Sequence, residues 1–201
     1  AQSRAFEEAL LQAGLPYRVY GGVRFFERAE VKDALAYLRL IANRADDAAL
    51  ERAINTPTRG IGARTLEQVR ARAREEAVPL WEAIAQEIEA RTLASRARQA
   101  LSGFVDLIER LDASGADLEL APRIDEMLAA TGLRAHYANE SRGMMDARTD
   151  NLDELVTVAS RFSRSEEDAS LNELAAFLGY AALEAGEGQA ESWEDGIQLM
   201  T

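Results

Sequence analysis

Apolar residues recur at three- and four-residue intervals along most of this chain, the spacing of helices that each bury one face. Ala5, Phe6, Ala9, Leu10 and Ala13 predict a helix over residues 2–13, with Gly14 as its stop. Residues 16–20, Pro16-Tyr17-Arg18-Val19-Tyr20, alternate and are β-rich, so they predict a short strand, broken by Gly21-Gly22. Val31, Leu35, Leu38 and Ile41 form one stripe of an amphipathic helix over 28–42, and Asp46 is placed to cap a helix over 47–54. Further helices are expected over 66–77, 80–90, 95–111, 123–130, 151–162 and 171–183. Loops are expected at 114–117 and 139–146, a linker over 185–195, and a strand over 197–200. The reading is mainly α, with a strand near each end. Those strands can share one sheet, with the helical body inserted between them; an independent helical domain with ragged ends is the alternative.

The pattern is punctuated at Asn55-Thr56-Pro57-Thr58-Arg59-Gly60-Ile61-Gly62. Pro57 ends the preceding helix, since it offers no amide and clashes with the turn before it. Gly60 and Gly62 bracket Ile61 and let the backbone turn tightly with positive φ. Ala63-Arg64-Thr65-Leu66 opens the next helix. A helix, a glycine hairpin and a second helix expose backbone amides beside a helix N-terminus, which suits an anion such as a phosphodiester. Arg52, Arg59, Arg64, Arg70, Arg72 and Arg74 crowd this region, and Glu67 is the one acid between residues 52 and 74. That segment therefore carries about +5 in a chain of net charge −12. A basic island in an acidic chain reads as a local contact with a duplex backbone. The bland alternative is an interhelical turn with solvated arginines.

Composition narrows the chemistry. At 201 residues, 47% hydrophobic and 29% charged, the chain can bury a real core in one or two domains. No apolar run reaches the roughly 20 residues of a membrane-spanning helix, so no membrane is expected among its partners. With no cysteine and His136 as the one histidine, thiolate and histidine-cluster metal sites are excluded. Lys32, in Val31-Lys32-Asp33, is the one lysine, and no phosphate loop surrounds it; this chain alone is not expected to hydrolyse ATP. Beginning at Ala1 and stopping at Thr201 after an apolar run, it is expected to be cut from something longer.

Other constellations have plain readings. Arg4 stands at a helix start, where a guanidinium can reach a phosphate or simply be solvated. Phe25-Phe26 can stack bases but more often build core. Nine acids and no bases lie between 166 and 195, a solvated acidic surface without calcium-loop spacing. Asp46-Asp47 reads first as capping, with an electrostatic latch toward the nearby arginines as the alternative. His136-Tyr137 has no nucleophile pattern around it.

Ala1-Gln2-Ser3-Arg4, the run from Pro16 to Asp33, Asn55-Thr56-Pro57-Thr58-Arg59-Gly60-Ile61-Gly62, Glu184-Ala185-Gly186-Glu187-Gly188-Gln189-Ala190 and Ile197-Gln198-Leu199-Met200-Thr201 together resemble the bacterial UvrD-type superfamily-one DNA helicases. The resemblance implies a helical insertion, the 2B subdomain, over residues 25–185. Residues 1–24 and 186–201 would then be short pieces of an incomplete α/β RecA-like motor domain, the second half a linker and returning strand. It implies that Arg4 contacts nucleotide in the intact parent, with ATP and Mg bound there and no cofactor in this fragment. Duplex contacts are implied for Thr56, Thr58, Arg59, Gly60, Ile61, Gly62, Arg64 and Thr65. Gly21, Gly22, Gly186 and Gly188 are expected to act as hinges, and Asp46 and Asp47 as a regulatory pair. The parent is expected to be an ATP-dependent 3′-to-5′ helicase acting in excision and mismatch repair on single-strand–duplex junctions, with repair proteins as partners and the nucleoid-bearing cytoplasm as its place. A protein-interaction module that docks repair partners or restrains the helicase is the alternative.

Overall fold

A computed structural model describes residues 25–140, 147–164 and 170–186, together with the strand backbones at 17–20 and 197–200. Strand β1 (Tyr17–Tyr20) precedes a single 3-10 turn at Phe25–Glu27. Nine helices follow among the described residues: α1 (Ala29–Ala42), α2 (Asp47–Ala53), α3 (Ala63–Glu76), α4 (Leu80–Ala90), α5 (Ser95–Gly115), α6 (Leu120–Thr131), α7 (Leu133–Glu140), α8 (Ala147–Arg161) and α9 (Glu173–Gly186). Strand β2 (Ile197–Met200) closes the order. It pairs with β1 in parallel, Tyr17 opposite Ile197 and Tyr20 opposite Met200. The whole helical body thus lies in the crossover between two neighbouring strands.

Helix α1 is the axis of that body. One buried stripe was expected of it; instead Val31, Ala34, Leu35, Ala36, Tyr37, Leu38, Leu40 and Ile41 are all buried. Helices α2, α5, α6, α7, α8 and α9 all pack against it. Lys32 and Arg39 remain exposed, but the polar side chains on the covered faces must find partners inside. Buried Glu30 accepts from Asn151 Nδ2 at 2.5 Å, and Asn151 Oδ1 accepts from Arg28 at 2.5 Å. Buried Asp33 accepts from the Tyr137 hydroxyl and pairs with Arg52 Nε at 2.6 Å. These contacts tie α1 to α8, α7 and α2.

Several helices run longer than their periodicity indicated. Helix α5 continues through residues 114–115, where a loop was expected. Gly115 is buried there because Arg123 of α6 lies across it, held by Asp112 at 3.3 Å. Helix α6 begins at Leu120, ahead of Pro122; a proline in the first turn forfeits no intrahelical bond. Gly132, at φ 75°, ends α6, and α7 starts at once, reaching Glu140 inside the expected polar loop. The remainder of that loop and the 2–13 helix lie outside the described residues.

A Cβ built on Gly115 would sit 2.6 Å from Arg123 Nε and 2.9 Å from its Cγ. Gly115→Ala is therefore expected to lower stability by about 1–3 kcal/mol through overpacking. Urea unfolding followed by circular dichroism checks it; a midpoint equal to the wild type's would show that Arg123 moves aside freely.

Candidate nucleic-acid interface

The stretch between α2 and α3 is a compact loop held from beneath. Asn55 Oδ1 accepts the Arg59 amide at 2.9 Å, an Asx-type closure of the turn. The Thr56–Pro57 peptide is cis. The Tyr37 hydroxyl, fully buried on α1, lies 2.6 Å from the Thr56 carbonyl and 3.0 Å from that of Ala53. Ile61 points down into the core at 1% exposure and anchors the tip. Gly60 has φ 75°, a conformation costly for a residue with a Cβ. Gly62 does not share it: at φ −75° it is the extended residue before α3, and its carbonyl accepts the amides of Thr65 and Leu66. The expectation that both glycines supply positive φ thus holds for Gly60 alone.

The upper side of the loop is different. Thr58, Gly60, Gly62, Ala63 and Arg64 are exposed, and Thr56 and Thr65 are half-buried. The amides of Gly60, Ile61, Gly62, Ala63 and Arg64 have no hydrogen-bond partner among the described residues. A Cβ at Gly60 or Gly62 would meet nothing within 4 Å.

The arginines are distributed otherwise than their crowding in sequence implied. Arg52 pairs with Asp33, Arg70 with Glu51 and Glu67, Arg72 with Glu75, Glu76 and Glu87, and Arg74 with Glu67. The hydrogen bond from Arg74 holds the Glu67 carboxyl below the usual carboxylate range. Most of the basic island is therefore neutralised by carboxylates brought from α1, α2, α3 and α4. Arg64 has no such partner among the described residues and is exposed. Arg59 turns inward: its guanidinium donates to the carbonyls of Ala53 at 3.2 Å, Pro57 at 3.0 Å and Thr131 at 3.3 Å. It also lies 5.5 Å from the ring centroids of both Tyr37 and Phe104.

The two aspartates are caps. Asp46 accepts the Ala49 amide at 2.9 Å at the start of α2. Asp47 reaches across to the Leu80 amide at 2.8 Å and caps α4, whose own cap position is Pro79 with no side-chain acceptor. Gly186 is the last residue of α9, while Arg4, Gly21, Gly22 and Gly188 lie outside the described residues. Among the described residues no group of histidine, aspartate and glutamate is arranged to hold a metal. Sequence reasoning missed Tyr37 and Thr131, which frame the loop from 16 or more residues away. Asn55 carried a signal, since asparagine before a turn commonly closes it through its side chain.

Burial pushes the Tyr37 hydroxyl up to about 12, against the pull of nearby Arg59. A free tyrosine titrates near 10. The unfolded chain therefore ionises first as pH rises, and this contribution to stability, intact below about pH 10, is lost toward pH 12. Tyr37→Phe is expected to cost about 1 kcal/mol at neutral pH through the lost hydrogen bonding and to make the alkaline decline shallower. Denaturant titrations at neutral pH and at about pH 11 measure both; an unchanged alkaline slope would contradict the assignment.

The sequence has counterparts among known proteins. Over residues 1–201 the chain matches the family described as UvrD-like helicase C-terminal domain. It is 55% identical over its full length to DNA helicase II of Escherichia coli K12, covering 28% of that protein. It is 37% identical to the ATP-dependent DNA helicase PcrA of Bacillus subtilis 168, again over all of this chain and 28% of that protein. Over 84% of the chain it is 39% identical to the ATP-dependent DNA helicase UvrD1 of Mycobacterium bovis, covering 22% of that protein. The chain thus spans under a third of the length of these relatives. With the match running from its first residue to its last, the chain belongs to the UvrD-like helicase C-terminal domain family.

Proposed function

We propose that this chain is the duplex-binding and regulatory 2B subdomain of an ATP-dependent 3′-to-5′ DNA helicase acting in nucleotide-excision and mismatch repair. The observation that carries the reading is the run of five amides, residues 60–64, at the opening of α3 that have no partner among the described residues. Backbone donors at a helix start favour anions, and a duplex presents its phosphates without regard to sequence. Thr56, Thr58, Arg64 and Thr65 lie around those amides, and Gly60 and Gly62 leave them uncovered. Ile61 and Arg59 hold the loop from below. ATP and Mg belong to the parent, where Arg4 contacts nucleotide. Its partners are single-strand–duplex junctions and repair proteins, and it works on the nucleoid in the cytoplasm.

One feature favours the protein-interaction alternative. An apolar groove of about 310 Å³ between α1, α2 and α9 has Leu35, Ala49 and Ala181 in its lining and Lys32, Arg39 and Arg52 around it. A competitor that blocks the groove and leaves duplex binding intact would separate the two surfaces.

Duplex binding by this chain is expected to be weak, indifferent to sequence and salt-sensitive. Gly62→Ala is the clean probe. Its φ suits any residue, its Cβ meets open space, and the exchange at the cap position costs at most about 1 kcal/mol of stability. Affinity for a short duplex, measured by fluorescence anisotropy, should nevertheless fall about tenfold, or about 1.4 kcal/mol. Arg64→Ala should flatten the dependence of log affinity on log salt by about 0.9. A folded Gly62→Ala chain that binds like the wild type would sink the reading.

The helical body is further proposed to swing on the motor through glycine hinges at Gly21-Gly22 and Gly186-Gly188, with Asp46 and Asp47 biasing its orientation. Because both aspartates are caps, alanine would remove structure along with charge. Asparagine keeps the acceptor and removes only the charge. In the intact parent, Asp46→Asn with Asp47→Asn should shift the populations of two label distances seen by single-molecule energy transfer. A single distance with and without DNA, in wild type and variant, would rule the swing out.

A further inference from the structure

Arg59 was expected to meet phosphate, and its surroundings give it another task. Ala53 is the last residue of α2 and Thr131 the last of α6, and both carbonyls accept from its guanidinium. One planar cation thus sits at the negative ends of two helix dipoles, where a positive charge is stabilised. Its third carbonyl, from Pro57, belongs to the loop itself. The rings of Tyr37 and Phe104 lie beside it, each with its centroid 5.5 Å from the guanidinium carbon. A group committed to three carbonyls and two rings has little left to offer a ligand on the opposite side of the loop.

We propose that Arg59 is a positioning residue for duplex binding: it pins the 55–62 loop to the ends of α2 and α6 so that the amides of residues 60–64 face the ligand already aligned. The inference rests on the duplex-binding reading above. It follows from the fork of the guanidinium, which spans three carbonyls at once; a lysine ammonium in its place keeps the charge and loses that span. A phosphate contact and a positioning contact therefore predict opposite results for Arg59→Lys. Were Arg59 a phosphate contact, lysine would preserve most of the affinity, and removing the charge would flatten the salt dependence.

The test uses this 201-residue chain, a short duplex and a salt series. Arg59→Lys should bind about tenfold more weakly with the wild-type salt slope, because loop disorder must be removed on binding while the number of neutralised phosphates is unchanged. Amide hydrogen exchange without DNA should speed up at residues 56 and 59, the loop amides held by Ala53 and Asn55, and remain as in the wild type in α8. Should Arg59→Lys fail to fold, Phe104→Leu removes one of the two rings at a fully buried position that no duplex reaches, and the same pattern is expected in milder form. Unchanged affinity of Arg59→Lys, a salt slope lowered by about 0.9 in the charge-removing Arg59→Gln, or unaltered exchange at residues 56 and 59 would each overturn the inference. Absence of duplex binding by the wild-type chain would instead overturn the reading beneath it.

Discussion

Burial of α1 on nearly every side is the constraint from which the rest of the structure follows. A helix packed against six others leaves only Lys32 and Arg39 of its polar side chains well exposed, so those on its covered faces need partners inside. Glu30, Asp33 and Tyr37 therefore dictate what must stand opposite them. Asn151 and Arg28 answer Glu30, Arg52 and Tyr137 answer Asp33, and the carbonyls of Ala53 and Thr56 answer Tyr37. The last pair places the loop: the same hydroxyl that satisfies the core also fixes where α2 ends and the turn begins.

The loop is accordingly two-faced. Its underside is tied by Tyr37, Arg59, Asn55 and the buried Ile61. Its upper side is left with glycines and with amides that are unpaired among the described residues. A loop secured on one face can hold donors in place on the other without spending side chains on that face. Such pre-arrangement lowers the ordering cost of association. The arginines support this division. Those of α2 and α3 are mostly engaged in ion pairs, each worth little on an exposed surface.

Helix placement was legible in the sequence because amphipathic spacing and glycine or proline stops are local signals. The 80–90 helix matches α4, and Gly132 marks the end of α6. The failures share a cause. Residues 114–115 have poor helix propensity, yet packing of Arg123 over Gly115 carries α5 through them. Helix α1 looked one-sided because the stripe of Val31, Leu35, Leu38 and Ile41 accounts for only one face, whereas Ala34, Ala36, Tyr37 and Leu40 on its other faces are buried by helices that arrive from distant parts of the chain. At the candidate site the glycine hairpin was visible. The direction of Arg59 was not, since it depends on Thr131, 72 positions away. Charge counting along the chain failed for the same reason. The carboxylates that neutralise Arg52 and Arg72 arrive from Asp33 and Glu87, outside the counted window.

That neutralisation bears on the proposed duplex binding by an acidic chain. With net charge −12, long-range attraction to a polyanion is unavailable, and the local +5 is largely cancelled by folding. What remains at the loop is a set of neutral donors and Arg64. Amides recognise phosphate without releasing many counterions, so their contribution survives salt better than that of a lysine-rich patch. In the proposed duplex-binding role, weak attachment of this kind would let a duplex slide past the loop: the grip would come from short-range donors that any phosphate can replace, and no base-specific contact would have to be broken at each step.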